Sequence, residues 1–321
     1  MFINSALVAA FALLALGAAA PHARAQAAIQ VIVPFPPGGG LDVLARRVTQ
    51  AIQEQSGESF VVENRPGANG LIGAKSVAAG RTDGRTWLFA DGSTLTINPS
   101  LYARDPAFDP QRDLRTVLAV GFLPSVLVVH PGLGPRTLKD FIDYARASEV
   151  PYVSGGIGAA GHLNMEYLGS IAGLKLRHIP YKGGAPAMTD LIAGQVPAGF
   201  GVLPGALSHI RSGKLVALAV SSRQRASQLP AVPTVGESGY PGFEVEAGYF
   251  VMVSAKTPDA SAKEIEAKVR RVLVDPAMQE TIRALGFEPA SGMSSTGAVK
   301  WLDAEQAKWS MLIREKNIKA E

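Results

Sequence analysis

A strand that ends in prolines and glycines and restarts as a helix constrains this chain more than any other feature. Residues 29–33 are an apolar run, and Val33-Pro34-Phe35-Pro36-Pro37-Gly38-Gly39 follows it. Leu41, Leu44, Ala45, Val48 and Ile52 then recur at helical spacing. Prolines fix φ and remove donors, so they stop a strand in a defined direction. The glycines let the backbone turn sharply and approach another molecule closely. Unpaired N–H groups at the helix start attract anions. Ile179-Pro180-Tyr181-Lys182-Gly183-Gly184 echoes the arrangement before another helical pattern. Two such loops facing one cleft would hold a small acid from both sides.

The same order of elements recurs along the chain. Strands are predicted at Phe60–Glu63 and Trp87–Ala90, with helices near Leu41–Gln55 and Ile72–Ala79, which implies a parallel sheet. Val117–Val120 and Val126–His130 read as two strands carrying the chain into a second sheet. Tyr152–Ser154, Leu176–Pro180, Ala198–Val202 and Leu215–Ser221 read as further strands. Helices are expected near Leu138–Arg146, with Thr137 as N-cap, and at His162–Ile171 and Ala187–Ala193. Three more follow at Lys263–Val274, Met278–Leu285 and Ala298–Asn317. In open parallel sheets, ligands bind beyond the carboxyl ends of the strands. The loops after Phe35, Ala90, Ser154 and Tyr181 all lie there.

Bulk properties exclude several classes. The 321 residues suffice for two domains, and 47% hydrophobic with 18% charged residues describes a globular chain. A net charge of +4 with scattered basic residues argues against nucleic acid. No cysteine is present, so disulfides, thiol nucleophiles and thiolate metal sites are excluded. The five histidines lack metal-ligand spacing, so no metal and no cofactor is expected. Ala6–Ala20 is small and apolar and precedes Ala23-Arg24-Ala25, which reads as a signal peptide over residues 1–25, although no Lys or Arg lies among Met1 to Asn4. A retained anchor is the other reading of that stretch. Cleavage predicts an exported, periplasmic protein.

Individual motifs carry open alternatives. Gly156-Ile157-Gly158-Ala159-Ala160-Gly161 matches a dinucleotide fingerprint, but the region where an acid should follow reads Lys175-Leu176-Arg177. A plain tight loop or a carboxylate cradle at a helix start remains. Ser93, Thr94 and Thr96 either bond a ligand carboxylate or cap the local backbone. His162 either donates to a bound anion or is structural. Asp42 is either a first-turn carboxylate favoured by the macrodipole or the acceptor of a donor from the ligand or from across the cleft. Lys182 either pairs with a ligand or is solvated. Gly236-Glu237-Ser238-Gly239-Tyr240 misses the nucleophile-elbow pattern, and no catalytic constellation is legible.

Val33–Gly39 with Asp42, and Val61-Val62-Glu63-Asn64-Arg65-Pro66-Gly67-Ala68, resemble the opening of the tripartite tricarboxylate transporter substrate-binding receptors, the Bug or TctC-like family. Thr96-Ile97-Asn98-Pro99-Ser100-Leu101-Tyr102, Ile179–Gly183 and Leu229-Pro230-Ala231-Val232-Pro233-Thr234-Val235 extend the resemblance over about Ile29 to Ile318. It implies a periplasmic-binding-protein-like α/β fold of two domains, each a mostly parallel sheet flanked by helices, with the ligand, typically a small carboxylate or amino acid, between them. On this reading domain 1 comprises 26–123 and 251–321, with all three tryptophans, and domain 2 comprises 124–250.

The resemblance also implies a ligand-binding set. Phe35, Pro37, Gly38 and Gly39 would hold a carboxylate through backbone groups and ordered water. Gly92, Ser93 and Thr94 follow strand three. Gly155, Gly158, Ala159, Ala160 and His162 form the mid-chain loop, and Tyr181, Lys182 and Gly183 the aromatic-Lys-Gly loop. The expected partners are a small carboxylate and the membrane subunits of the transporter, with the receptor itself a monomer. Ala159 stands where the family commonly has Ser or Thr, and Pro197-Ala198 and Gly201-Val202 replace polar residues. Both changes suggest a bulkier, aromatic or otherwise apolar acid. The rival readings are an exported enzyme using the same cleft and a ligand sensor for a signalling receptor.

Overall fold

The computed structural model describes residues 28–102 and 108–319, so the expected leader lies outside the described residues. Its described strands form one ten-stranded sheet through two lobes, eight of them on a continuous path. In the first lobe β1 (Ile29–Val33) lies between β2 (Phe60–Asn64) and β3 (Thr86–Asp91), all parallel. In the second, β5 (Val150–Ser154) lies parallel to β6 (Leu176–Pro180) and β7 (Ala198–Val202). β1, β3, β5 and β7 bury most of their residues, while β2 and β6, at the two ends of the strand order, stay partly exposed. The helix Gly40–Ser56 turns Leu41, Leu44, Ala45, Val48 and Ile52 onto the sheet and stops at Gly57, whose φ of 71° ends the helix by a left-handed cap. Thr137 caps the helix Leu138–Ala147 in a reciprocal capping box with Asp140, as expected.

The two strands expected near 117–120 and 126–130 are instead one 16-residue strand, β4 (Leu114–Val129). Gly121 and Pro124 disguise its continuity. Pro124 stands where the neighbours change: up to Pro124 the strand pairs with β9 (Glu246–Ser254), and from Ser125 onward with β7 and β8 (Val216–Val220). At Gly121 the close neighbour is the carbonyl of Glu288 in β10 (Glu288–Pro289), 3.1 Å from where a Cβ would sit. Strand β9 was not anticipated, and it inserts antiparallel between β3 and β4. The return crossing lies just before it: Val245 bonds Ser221 in the second lobe, and Glu246 pairs Pro124.

The C-terminal helix Ser295–Glu315 belongs to both lobes. Ala298 and Leu302 join the first-lobe core with Phe250 and Phe122, while Trp309, Leu312 and Ile313 pack among second-lobe residues including Phe243 and Leu163. Trp309 meets the Tyr167 ring edge-on at 6.1 Å. So Trp309 is not confined to the first lobe's core.

Candidate functional site

The loops at the carboxyl ends of β1, β3 and β5 come together where the lobes meet. A cavity of about 180 Å³ lies there. Phe35 and Ser93 line it from the first lobe, and Gly158, Ala159 and Ala160 from the second. A groove of about 690 Å³ continues from it along the second lobe and shares Ser125, Ala159 and Ala160, with Gly155 further along. Its walls include Met188, Ile192, Phe200, Gly201 and Val202. Two of the positions expected to be less polar therefore lie in an apolar wall.

The helix Ala160–Ala172 begins at this junction with Ala159 as N-cap and no side-chain cap, leaving its first-turn amides available to an anion. The loop before it is fixed from beneath. Gly158, at φ +77°, donates its amide to Nδ1 of His162 at 3.0 Å, and a Cβ there would lie 2.5 Å from Cδ1 of Leu101. His162 is 6% exposed and stacks on His178 with ring centroids 3.9 Å apart. Burial lowers both imidazoles to about 4, with His162 adding to the effect on His178. His162 thus accepts a hydrogen bond from the loop, and neither cavity is lined by it.

Asp42 plays the same part under the first loop. Its buried carboxylate accepts from Gly38 N at 2.9 Å, from Arg46 and from Asn64 Nδ2. Burial works against its ionisation, but the hydrogen bonds from Arg46, Gly38 and Asn64 and the Arg46 charge hold its pKa below the ordinary value. Gly38 has φ +84°, a backbone conformation that few residues other than glycine adopt. Pro37, Gly38 and Gly39 are exposed and outside the cavity lining. Gly92 binds β9 through its amide to Gly248, and Thr94 is fully buried. Tyr181 N donates to the Ser154 carbonyl and Gly183 N to the Gly155 carbonyl, which joins the two second-lobe loops. The Tyr181 hydroxyl donates to Asp190, and Lys182 is exposed and lines neither cavity.

Sequence reasoning missed much of the inner wall. Asn69, Asp91, Ser125, Asn164, Glu246, Trp301, Glu305 and Trp309 all line the cavity. Asp91 takes the Ser93 amide at 2.7 Å, yet burial raises its pKa. Burial raises Glu305 too, against Lys308 and the Trp309 indole N–H, both of which donate to it. Glu246 is pushed up to about 7 by burial and by Glu288, Glu244 and Glu305. These acids stand on separate elements, so no spacing betrays them. Asn164 was detectable only as the residue one helical turn after Ala160.

The family described as "Tripartite tricarboxylate transporter family receptor" matches this chain over residues 44–318. Protein BugT of Bordetella pertussis is 36% identical over 295 residues, covering 91% of this chain and 90% of that protein. Among solved structures, R. palustris Rpa4515 with adipate is similar at TM-score 0.77 and 30% identity, covering 91% of this chain and 98% of that one. MatC from Rhodopseudomonas palustris with bound malate is similar at TM-score 0.70 and 25% identity, covering 89% and 98%.

Proposed function

Because the chain belongs to the tripartite tricarboxylate transporter receptor family, a class of solute-binding receptors, we propose that its interlobe cavity captures a small carboxylate for delivery to the transporter's membrane subunits. The observation that carries the ligand reading is the junction itself. Phe35 and Ser93 face the uncapped start of the helix Ala160–Ala172 across one cavity, and that helix start offers free amides to an anion. The solved relatives with adipate and malate support a carboxylate occupant. The apolar groove beyond Ala159 supports an acid with a bulky or aromatic body.

Phe35, Ser93, Gly155, Gly158, Ala159 and Ala160 are proposed as contacts. Asp42 and His162 are proposed to hold the contact loops in shape. Gly38, Gly39, Pro37, Gly92, Thr94, Tyr181, Lys182 and Gly183 are proposed to reach the ligand only when the lobes draw together. The lobes are proposed to divide into 26–123 with 251–321 and 124–250. The pairing at Val245 and Glu246 favours an earlier return crossing. Export to the periplasm through cleavage of residues 1–25, a monomeric state and the absence of catalysis belong to the same proposal.

A thermal-shift screen of mono-, di- and tricarboxylates, aromatic acids and amino acids tests it. Ligand at 100 times its dissociation constant adds about 2.7 kcal/mol of stability. No shift from any class, with folded protein, would refute the carboxylate reading. Turnover of a bound acid would favour the enzyme instead.

A further inference from the structure

For a site that takes an anion, the inner wall has the wrong sign. Asp91, Glu246 and Glu305 line the cavity, and none of its lining residues is Lys, Arg or His. Two of the three acids have donors that suit a charge: Asp91 takes the Ser93 amide, and Glu305 takes Lys308 and the Trp309 indole. Among the described residues no hydrogen bond or ion pair reaches the Glu246 carboxylate.

Glu246 is the first residue of β9 and pairs with Pro124, so it stands where the two crossings between the lobes meet. Charged groups face it from three sides. Glu244 lies just before it and is paired with the exposed Arg223. Glu288 stands on β10 and accepts from the amide and hydroxyl of Ser227. Glu305 and Lys308 stand on the C-terminal helix, and the Lys308 ammonium is already shared between Glu305 and the Glu244 carbonyl. Burial and the three neighbouring acids push Glu246 up to about 7, so near neutrality it stands between its charged and neutral forms.

Asn164 shows separately that the cavity is a seat for a polar ligand. It lines the cavity, is 1% exposed, and has no hydrogen-bond partner at either Oδ1 or Nδ2. A buried amide with donor and acceptor both unmade is costly, so a partner is due there. A cavity of about 180 Å³ is only about 7 Å across if round, less than a Debye length at physiological salt, so a carboxylate anywhere in it feels the charge of the wall. No contact between Glu246 and the ligand is needed for that. Like charges in so small a space repel strongly, and the acid without donors relieves the repulsion most readily by taking a proton.

Resting on the carboxylate-receptor reading, we infer that the receptor takes up its acid together with a proton, which passes from solvent to the Glu246 carboxylate as the ligand anion enters. Above neutral pH the free receptor holds Glu246 ionised, and each binding event must first draw a proton from solvent. Affinity therefore falls as pH rises, and Glu246 sets the pH above which the ligand is released.

The test is calorimetry with benzoate, phenylpropanoate, malate, glutarate, adipate and tricarballylate at pH 7, 8 and 9, where the acids themselves are already ionised. At least one of them is expected to bind about tenfold or more weakly at pH 9 than at pH 7, since one unit of pKa linkage is tenfold in affinity. Its heat of binding at pH 8 should be less exothermic in Tris than in phosphate, because Tris gives up its proton at the larger enthalpic cost. Glu246→Gln should flatten the pH profile and bind more tightly than the wild type at pH 9. Glu288→Gln, outside the cavity lining, removes one charge beside Glu246 and should move the loss of affinity to lower pH; it serves if Glu246→Gln fails to fold. A bound acid with equal affinity at pH 7 and pH 9 and no buffer dependence would overturn the inference and leave the receptor reading intact. A pH dependence that neither substitution alters would overturn the role of Glu246. Silence from all six acids at every pH would overturn the carboxylate reading and this inference with it.

Discussion

Lowering the pH sets two buried features of this protein against each other, and removing Glu246 separates them. His162 and His178 hold their rings 3.9 Å apart with their pKa values lowered to about 4, against 6.5 for a free imidazole. Between those values the unfolded chain binds protons that the folded pair refuses, so stability falls as pH drops from 6.5 toward 4. Glu246 acts in the opposite sense. Its folded carboxyl holds a proton up to about 7, against 4.5 when free, so stability rises as pH drops from 7 toward 4.5. Each group contributes about 1.4 kcal/mol per pH unit inside its window. With two imidazoles against one carboxyl, these groups should cost the wild type about 1.4 kcal/mol between pH 6 and pH 5, and Glu246→Gln about twice that. Urea unfolding of both proteins at half-unit steps gives the slopes, and terms common to both cancel in the difference. Equal slopes would refute the buried state of Glu246. Imidazole resonances titrating near pH 6.5 in the folded protein would refute the account of the histidines. Because Gly158 N donates to His162, the same titration should shift the Gly158 amide as the ring protonates.

Two further outcomes follow from the geometry. Trp301 and Trp309 both line the cavity, so a saturating ligand should change intrinsic fluorescence, and Trp309→Phe should remove part of that change; unchanged emission with a ligand bound by calorimetry would place the site elsewhere. Gly161→Ala should destabilise by about 1–3 kcal/mol in urea unfolding, because its Cβ would lie 2.6 Å from the Phe200 carbonyl oxygen, and a loss below about 0.5 kcal/mol would show that the helix start can shift away from β7.

The local grammar of the fold was legible, and its long-range pairing was not. Strand, glycine loop and helix could be read at Val31–Gln55 because each signal lies within one short window. The joining of 117–120 to 126–130 was hidden because Gly121 and Pro124 read as breakers. In the structure they are positions where a neighbouring backbone closes in and where the pairing partner changes. Strand β9 follows a Pro- and Gly-rich loop, and its apolar run, Tyr249–Val253, owes its meaning to β3 and β4 on either side. The site divides in the same way. Glycine loops after strands announce themselves, so Gly158–Ala160 could be found. The roles of Asp42 and His162 under those loops, and the gathering of Asp91, Glu246 and Glu305 from three elements, depend on tertiary contacts.

The helix Ser295–Glu315 joins the cores of both lobes, and its place in the chain fixes when that can happen. Every strand precedes it in the order of synthesis, and domains generally complete themselves as units. The lobes therefore finish their sheets as neighbours joined by the crossings near Pro124 and Val245 and by contacts such as Ser227 with Glu288 and Gln228 with the Arg283 carbonyl. The helix Ser295–Glu315 then joins the two cores. A chain ending at residue 294 would keep all ten strands and lose that link, together with Trp301, Glu305 and Trp309 of the cavity wall. The cavity wall is thus complete only once a segment that contributes nothing to the described strands has joined both lobes.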